Sequence, residues 1–172
     1  MRCTGLWLAA ALTATALTAC NKPGAPTGSE GAATAPASAP ADAPAPADLT
    51  DAQKQTLLAS LPAPYNTGDI AHGKSVFQIC KSCHTSISGG ASMTGPNLYG
   101  IFGRKAGSVA GYAYSDALKA AAITWDAPQM DTWITNPKAM VPGTKMSFVG
   151  MKDPKDRIDL VAYLKTETSP AP

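Results

Sequence analysis

Cys80-Lys81-Ser82-Cys83-His84 is the stretch on which the reading of the chain turns. Two cysteines three apart, with histidine directly after the second, read as a c-type haem attachment site. Residues three apart on a helical turn lie on nearly one face. Two thiols so placed can each add to a vinyl group of the same haem. The adjacent histidine then lies under the ring, where an imidazole nitrogen can bind iron. Other readings fit less well. A CxxC redox pair belongs in a βαβ context, and no stretch here has the period-2 alternation of a strand. A structural zinc site needs four ligands, and the remaining cysteines, Cys3 and Cys20, sit in an N-terminal leader.

Outward from the motif the pattern is helical. Ile70, Gly73, Val76, Phe77 and Cys80 recur at 3–4 spacing, which predicts a helix over residues 69–83. Glycine inside a helix costs about 1 kcal/mol against alanine. Gly73 therefore marks close approach of another helix, and the last one, predicted over 154–166, is the partner. Its Ile158, Leu160, Val161, Tyr163 and Leu164 form a broad apolar face, and Pro154 suits a first turn. Shorter helices are predicted over 115–122 and 128–135, with Gly- and Pro-punctuated loops between. A further short helix is predicted over 49–61. Thr50 and Gln53 there fit a capping box, and Leu57, Leu58 and Leu61 form a stripe. The pattern leaves open whether this helix docks on the adjoining domain or only ends the segment before it. His72 reads as a solvated surface residue.

The N-terminal part has a different composition. Residues 1–19 read as a secretory leader: Arg2 is a minimal positive region, and 6–17 is an apolar run too short to span a bilayer. Leu17-Thr18-Ala19-Cys20 resembles a bacterial lipobox, in which Cys20 becomes the acylated first residue. Ala14-Thr15-Ala16 partly fits an ordinary cleavage site, which is the alternative. Residues 21–47 are mostly Ala, Pro, Gly, Ser and Thr, with almost nothing large to bury. In polyproline geometry these 27 residues reach roughly 80 Å. The expected organisation is a signal peptide over 1–19, a lipidated tether over 20–65, a folded domain over 66–168 and a tail over 169–172. Residues 66–172 carry 11 Lys+Arg against 8 Asp+Glu, and the whole chain has a net charge of +2. Nucleic-acid binding asks for a pI above about 9 and a basic stripe, so that class is excluded.

The ordered blocks go further than the motif. Gly95-Pro96-Asn97-Leu98-Tyr99-Gly100, Phe102-Gly103-Arg104-Lys105 and Gly111-Tyr112-Ala113-Tyr114-Ser115-Asp116 come after it. Then come Ile123-Thr124-Trp125, Asn136-Pro137-Lys138, Val141-Pro142-Gly143-Thr144-Lys145-Met146 and Asp159-Leu160-Val161-Ala162-Tyr163-Leu164. With these blocks the chain resembles a class I cytochrome c of the mitochondrial type and its bacterial, membrane-anchored relatives. The resemblance runs from about residue 68 to 166. It implies an all-α cytochrome c fold: a small helical domain around one covalent haem c, with the first and last helices crossing.

The same resemblance implies Met146 as the sixth iron ligand, opposite His84. It leaves Met93, Met130, Met140 and Met151 as packing residues. Pro96 matches the position whose carbonyl accepts a hydrogen bond from the haem histidine. Arg104, Tyr112, Tyr114 and Trp125 match positions around the haem propionates, and Thr144 a further polar one. Leu118 stands where asparagine is frequent in mitochondrial relatives, and Trp133 where they carry tyrosine. Lys74, Lys81, Lys138, Lys145 and Lys152 match a basic docking ring. The function implied is one-electron shuttling on the periplasmic side of a bacterial membrane, by a monomer anchored through Cys20. The implied partners are a quinol–cytochrome c oxidoreductase and a terminal cytochrome oxidase. A haem peroxidase-type enzyme, and a haem-based interaction or sensor module, are the rival readings. The first needs an open coordination site, and nothing in the sequence marks an output domain for the second.

Overall fold

The computed structural model describes residues 49–170. The leader, Cys20 and the tether over 21–47 lie outside the described residues. Six α-helices and two short 3₁₀ segments are found among those described, and no strand beyond an isolated bridge between Lys105 and Thr124. The all-α expectation holds. No described helix is long and apolar enough to cross a membrane.

The helix termini obey local chemistry. Helix α1, Asp51–Ala59, begins at the expected capping box: the Gln53 N–H donates to Thr50 Oγ1, and the Thr50 N–H donates to Gln53 Oε1 at 2.9 Å. The open question about this segment is answered by burial. Leu57, Leu58 and Leu61 are all buried, and α1 packs on the last helix and on the 3₁₀ turn Tyr65–Thr67. Burial of three leucines stabilises by about 1.5–3 kcal/mol each, so this stretch is part of the domain.

The helix expected over 69–83 divides. Its first part is α2, Ile70–Val76, capped by the Asp69 carboxylate, which accepts from the Ala71 and His72 N–H groups. From Phe77 to Ser82 the backbone tightens into a 3₁₀ helix. With three residues per turn, side chains at i and i+3 eclipse. Cys80 lies in this turn and Cys83 directly follows it as the C-cap residue. The Cys83 and His84 N–H groups both donate to the Cys80 carbonyl, at 3.0 Å.

Helices α3 (Asp116–Ala120) and α4 (Ala127–Thr135) match the shorter predicted helices within a few residues, capped by Ser115 and Asp126. A helix not anticipated, α5 (Pro137–Met140), comes directly after α4, with Asn136 as its cap. Last comes α6, Pro154–Thr168, capped by Asp153 with Pro154 in its first turn.

Helix α2 crosses α6 with Gly73 at the contact. A Cβ on Gly73 would overlap the Asp159 carbonyl and lie 2.7 Å from Tyr163 Cβ. Phe77 and Tyr163 stack beside the crossing with centroids 5.3 Å apart.

One polar group is buried there, and it corrects the reading of His72. Asp159 accepts from the Asp69 N–H at 2.8 Å, from Lys155 Nζ at 2.5 Å and contacts His72 Nδ1 at 2.7 Å. His72 is therefore a partner in the interhelical network; its Nε2 faces Asp156 at 3.7 Å. Burial pushes the Asp159 carboxyl upward, but the Lys155 ammonium, the Asp69 N–H and His72 together hold it below the usual carboxylate value.

A carboxyl depressed on folding stabilises above its unfolded pKa of about 3.9, and that contribution disappears as pH falls through the lower folded value. Asp159→Asn should therefore cost about 2 kcal/mol at pH 7, measured by urea unfolding of the holoprotein. The gap to wild type should narrow as pH falls below about 3.9 toward pH 3. An equal gap at both pH values would show that the charge of Asp159 contributes nothing.

Candidate haem site

A cavity of about 350 Å³ lies inside the helical wrap. One wall carries Cys80, Cys83 and His84, and Leu160 and Leu164 of α6 contribute another. Pro96, Arg104, Tyr112, Tyr114, Trp125, Trp133, Thr144 and Met146 all line the same cavity. Thus residues from separate blocks over 80–146 converge on one space. No Asp or Glu among the described residues lines it.

The histidine is held in one orientation. His84 Nδ1 lies 2.7 Å from the Pro96 carbonyl. A carbonyl only accepts, so Nδ1 carries the proton and Nε2 keeps a free lone pair. Burial lowers the His84 pKa, partly offset by the Pro96 bond, which favours the neutral imidazole that ligation requires. The segment over it is tied to the motif: the Gly95 N–H donates to the Cys83 carbonyl and the Leu98 N–H to the Thr85 carbonyl, both at 2.8 Å. Gly95 is a functional residue to which the sequence pattern assigned no role. A Cβ there would fall on the His84 ring, 2.7 Å from both nitrogens.

Cys80 and Cys83 form no disulfide with each other. Burial, and then the neighbouring Cys83, push the Cys80 pKa up to about 11. Reactive redox pairs show the opposite shift, toward a stabilised thiolate. No cluster of three or more His, Cys, Asp or Glu that could hold a metal ion occurs among the described residues.

The polar edge is sparse. Arg104 is half-buried and donates through Nη1 to the Tyr99 carbonyl (2.8 Å) and through Nη2 to the Asn97 carbonyl (2.9 Å). It makes no ion pair among the described residues. Burial disfavours its charge, so an anion brought to its remaining N–H groups is stabilising. The Tyr112 hydroxyl donates to the Thr94 carbonyl, and Tyr112 meets Tyr114 edge to face at 4.6 Å. Burial raises the Tyr114 pKa, keeping its hydroxyl a donor. Trp125 and Trp133 are buried and pack edge to face at 5.5 Å. Leu118 is buried on the same wall. A haem fits this donor set: apolar walls, paired thiols, an imidazole with a free nitrogen, and a half-buried cation for the propionates.

Thr144 Oγ1 accepts from the Met146 N–H at 3.2 Å, so its hydroxyl shapes the loop that carries Met146. A second thioether, Met130, also reaches the cavity wall, from inside α4. Met151 is buried in the core, Met140 packs against it and Met93 is exposed.

The five lysines are dispersed. Lys145 stands at the cavity rim, with Nζ donating to the Ala113 carbonyl at 2.8 Å. Lys81 and Lys138 are exposed. Lys152 donates to the Thr135 carbonyl at 3.1 Å. Lys74 lines a separate cleft with Asp51, Lys54 and Glu167. At the rim an exposed apolar residue, Ile79, sits where the sequence pattern pointed only to charge.

The sequence profile of the Cytochrome c family matches residues 70–168, more than half of the chain. This chain belongs to the cytochrome c family. Similar proteins include cytochrome c of Chlamydomonas reinhardtii, 48% identical over 59% of this chain and 92% of the relative. Cytochrome c of Euglena viridis is 50% identical over 58% of this chain and 97% of the relative. Cytochrome c2 of Rhodomicrobium vannielii is 47% identical over 60% and 82%. Among solved structures, cytochrome cH from Methylobacterium extorquens is 49% identical, with a TM-score of 0.53 over 58% of this chain and 99% of its own. The cofactor of this family is a covalently attached c-type haem with iron, and its members are electron-transfer proteins, not enzymes.

Gly95→Ala should displace the His84 ring and destabilise the holoprotein by about 1–3 kcal/mol. Proton NMR should show the His84 Nδ1–H resonance shifted. Gly89→Ala, where a Cβ would meet no neighbour but would strain a backbone at φ +70°, controls for glycine replacement away from the ring. An unmoved His84 resonance in Gly95→Ala would contradict the contact.

Proposed function

We propose that His84 and Met146 would hold the haem iron as its two protein ligands. On this reading the protein shuttles single electrons between a quinol–cytochrome c oxidoreductase and a terminal oxidase, on the periplasmic side of a bacterial membrane. One observation carries the reading. The Pro96 carbonyl fixes the His84 proton on Nδ1, which leaves Nε2 free toward a cavity that Met146 also lines.

The bound haem supplies the one-electron Fe(III)/Fe(II) couple. His84 binds through Nε2 and is kept from rotating by Pro96 and Gly95. Met146 offers a soft thioether, which favours Fe(II) and raises the potential. The apolar wall of Trp125, Trp133 and Leu118 excludes water and disfavours the higher charge of Fe(III). Arg104 would hold the propionates through its remaining N–H groups. Cys80 and Cys83 keep the cofactor in place through both oxidation states.

Docking is at the cavity rim, where Lys145 and the exposed Lys81 and Lys138 attract an acidic partner and Ile79 offers apolar contact. Cys20 is the lipid attachment point. Acylation with more than one chain anchors stably, at about 0.8 kcal/mol per buried CH₂. The tether then keeps the domain at high effective concentration near its membrane partners.

Mass spectrometry of protein extracted from native membranes should find acyl chains on Cys20. Oxidation of the reduced anchored protein by oxidase-containing membranes should depend weakly on salt, and that of Cys20→Ala steeply. An unmodified Cys20, or equally steep salt slopes, would contradict the anchored shuttle.

A further inference from the structure

The segment upstream of the family match is connected to the loop that carries Met146. Tyr65 is buried in its 3₁₀ turn and donates its hydroxyl to Asp131 Oδ2 at 3.1 Å. Asp131 lies on α4, and its other oxygen accepts from Arg157 Nε at 2.5 Å. Arg157, on α6, directs Nη1 to the carbonyls of Met151 (3.1 Å) and Lys152 (2.8 Å). These residues come directly after the loop over 141–150.

The same end of the loop is fixed to the C-terminus of α4. The Met151 N–H donates to the Ile134 carbonyl at 2.9 Å, and Lys152 Nζ donates to the Thr135 carbonyl. Gly150, at φ +96°, lies so close to the Thr135 carbonyl that a Cβ would overlap it. Between the two ends the loop has little of its own. The N–H groups of residues 147–150 have no hydrogen-bond partner among the described residues, and Val149 is 82% exposed. Residues 147–150 therefore take their position from the loop's ends and from Phe148 packed on the core. Thr144 shapes one end, with its N–H on the Val141 carbonyl and its Oγ1 on the Met146 N–H, and Arg157 joins the Met151–Ile134 bond in holding the other.

We propose that Tyr65, Asp131 and Arg157 are positioning residues: a clamp that holds the 141–150 loop, and with it Met146, against the cavity. The inference rests on the reading of Met146 as an iron ligand. Arg157 is suited to the task because a guanidinium is planar and donates in several directions at once. It bonds the carboxylate through Nε and the loop carbonyls through Nη1. Tyr65 completes the second oxygen of Asp131, which would otherwise be a half-buried acceptor lacking that partner. Burial first, and the Asp131 charge second, push the Tyr65 pKa up to about 12. Its hydroxyl therefore stays a donor throughout the physiological range. The clamp also gives the upstream segment a use in the electron-transfer domain, since Tyr65 precedes the matched residues 70–168.

The test uses the full-length holoprotein with Tyr65→Phe, Arg157→Lys and, as a control in α1, Leu58→Ala. Arg157→Lys keeps a charge beside Asp131 but loses the fork. Two readouts are taken: amide hydrogen exchange of residues 141–152, and the pH at which the near-infrared Met–Fe(III) band disappears. Arg157→Lys should speed exchange in that segment about tenfold, and Tyr65→Phe by less, with the band lost at lower pH in both. The double variant should add little to Arg157→Lys alone. Leu58→Ala should lower global stability without moving the band. If Arg157→Lys does not fold, Tyr65→Phe alone carries the comparison. Exchange and band midpoint unchanged, or moved no more than in Leu58→Ala, would overturn the clamp. Absence of the band in the wild type would instead sink the Met146 ligation, and the exchange arm would still decide the clamp.

Discussion

The contact between Gly73 and the backbone of α6 is the constraint on which the site depends. Two helices meet there with no side chain between them on one side. That closeness lets the buried Asp159 carboxylate reach the N-terminus of α2 and collect the Asp69 N–H, His72 and Lys155. The crossing also sets the next stretch of each helix. Past α2, the backbone tightens into the 3₁₀ turn that presents Cys80, Cys83 and His84. One residue along α6 from Asp159, Leu160 becomes part of the cavity wall. A wider crossing would separate the attachment motif from the surface that faces it.

The site is economical in polar groups, and several have a defined partner among the described residues. The imidazole proton goes to Pro96, two guanidinium donors go to Asn97 and Tyr99, and the Tyr112 hydroxyl goes to Thr94. The remainder is apolar wall, a free Nε2 and a thioether. Such a site suits a cofactor that changes by one electron and otherwise stays still. Fixed dipoles and packed rings leave little to reorganise when the charge changes. A wall without acidic residues among those described adds no negative charge beside Lys145 at the rim.

Much of this was legible because its causes are local. The attachment motif, the Thr50–Gln53 box, Pro154 at the start of α6 and the small residue Gly73 are all short-range signals with a direct physical meaning. The cofactor-lining set came from the resemblance, since spacing alone does not distinguish Trp125 or Tyr114 from ordinary core residues. The features that escaped depend on distant partners. His72 looked like a surface residue because its partner, Asp159, lies 87 positions away. Lys152 looked like a free charge, but the Thr135 carbonyl is within its reach. Burial of α1 could not be read from three leucines whose docking face is formed elsewhere. Gly95 carried a signal, a glycine before the histidine's proline partner, but only the ring position shows why a side chain is excluded. The 3₁₀ tightening at Phe77–Ser82 has the same apolar spacing as an α-helix over so short a run, so periodicity could not separate them.

On the proposed reading the iron is closed by sulfur from Met146 and not from Met130, the other thioether on the wall. Iron X-ray absorption of the purified ferric holoprotein tests this directly, in the wild type and in Met146→Leu and Met130→Leu. The expected result is one sulfur scatterer bound to iron in the wild type and in Met130→Leu, and none in Met146→Leu. An iron without bound sulfur in the wild type, or one that keeps its sulfur in Met146→Leu, would contradict it.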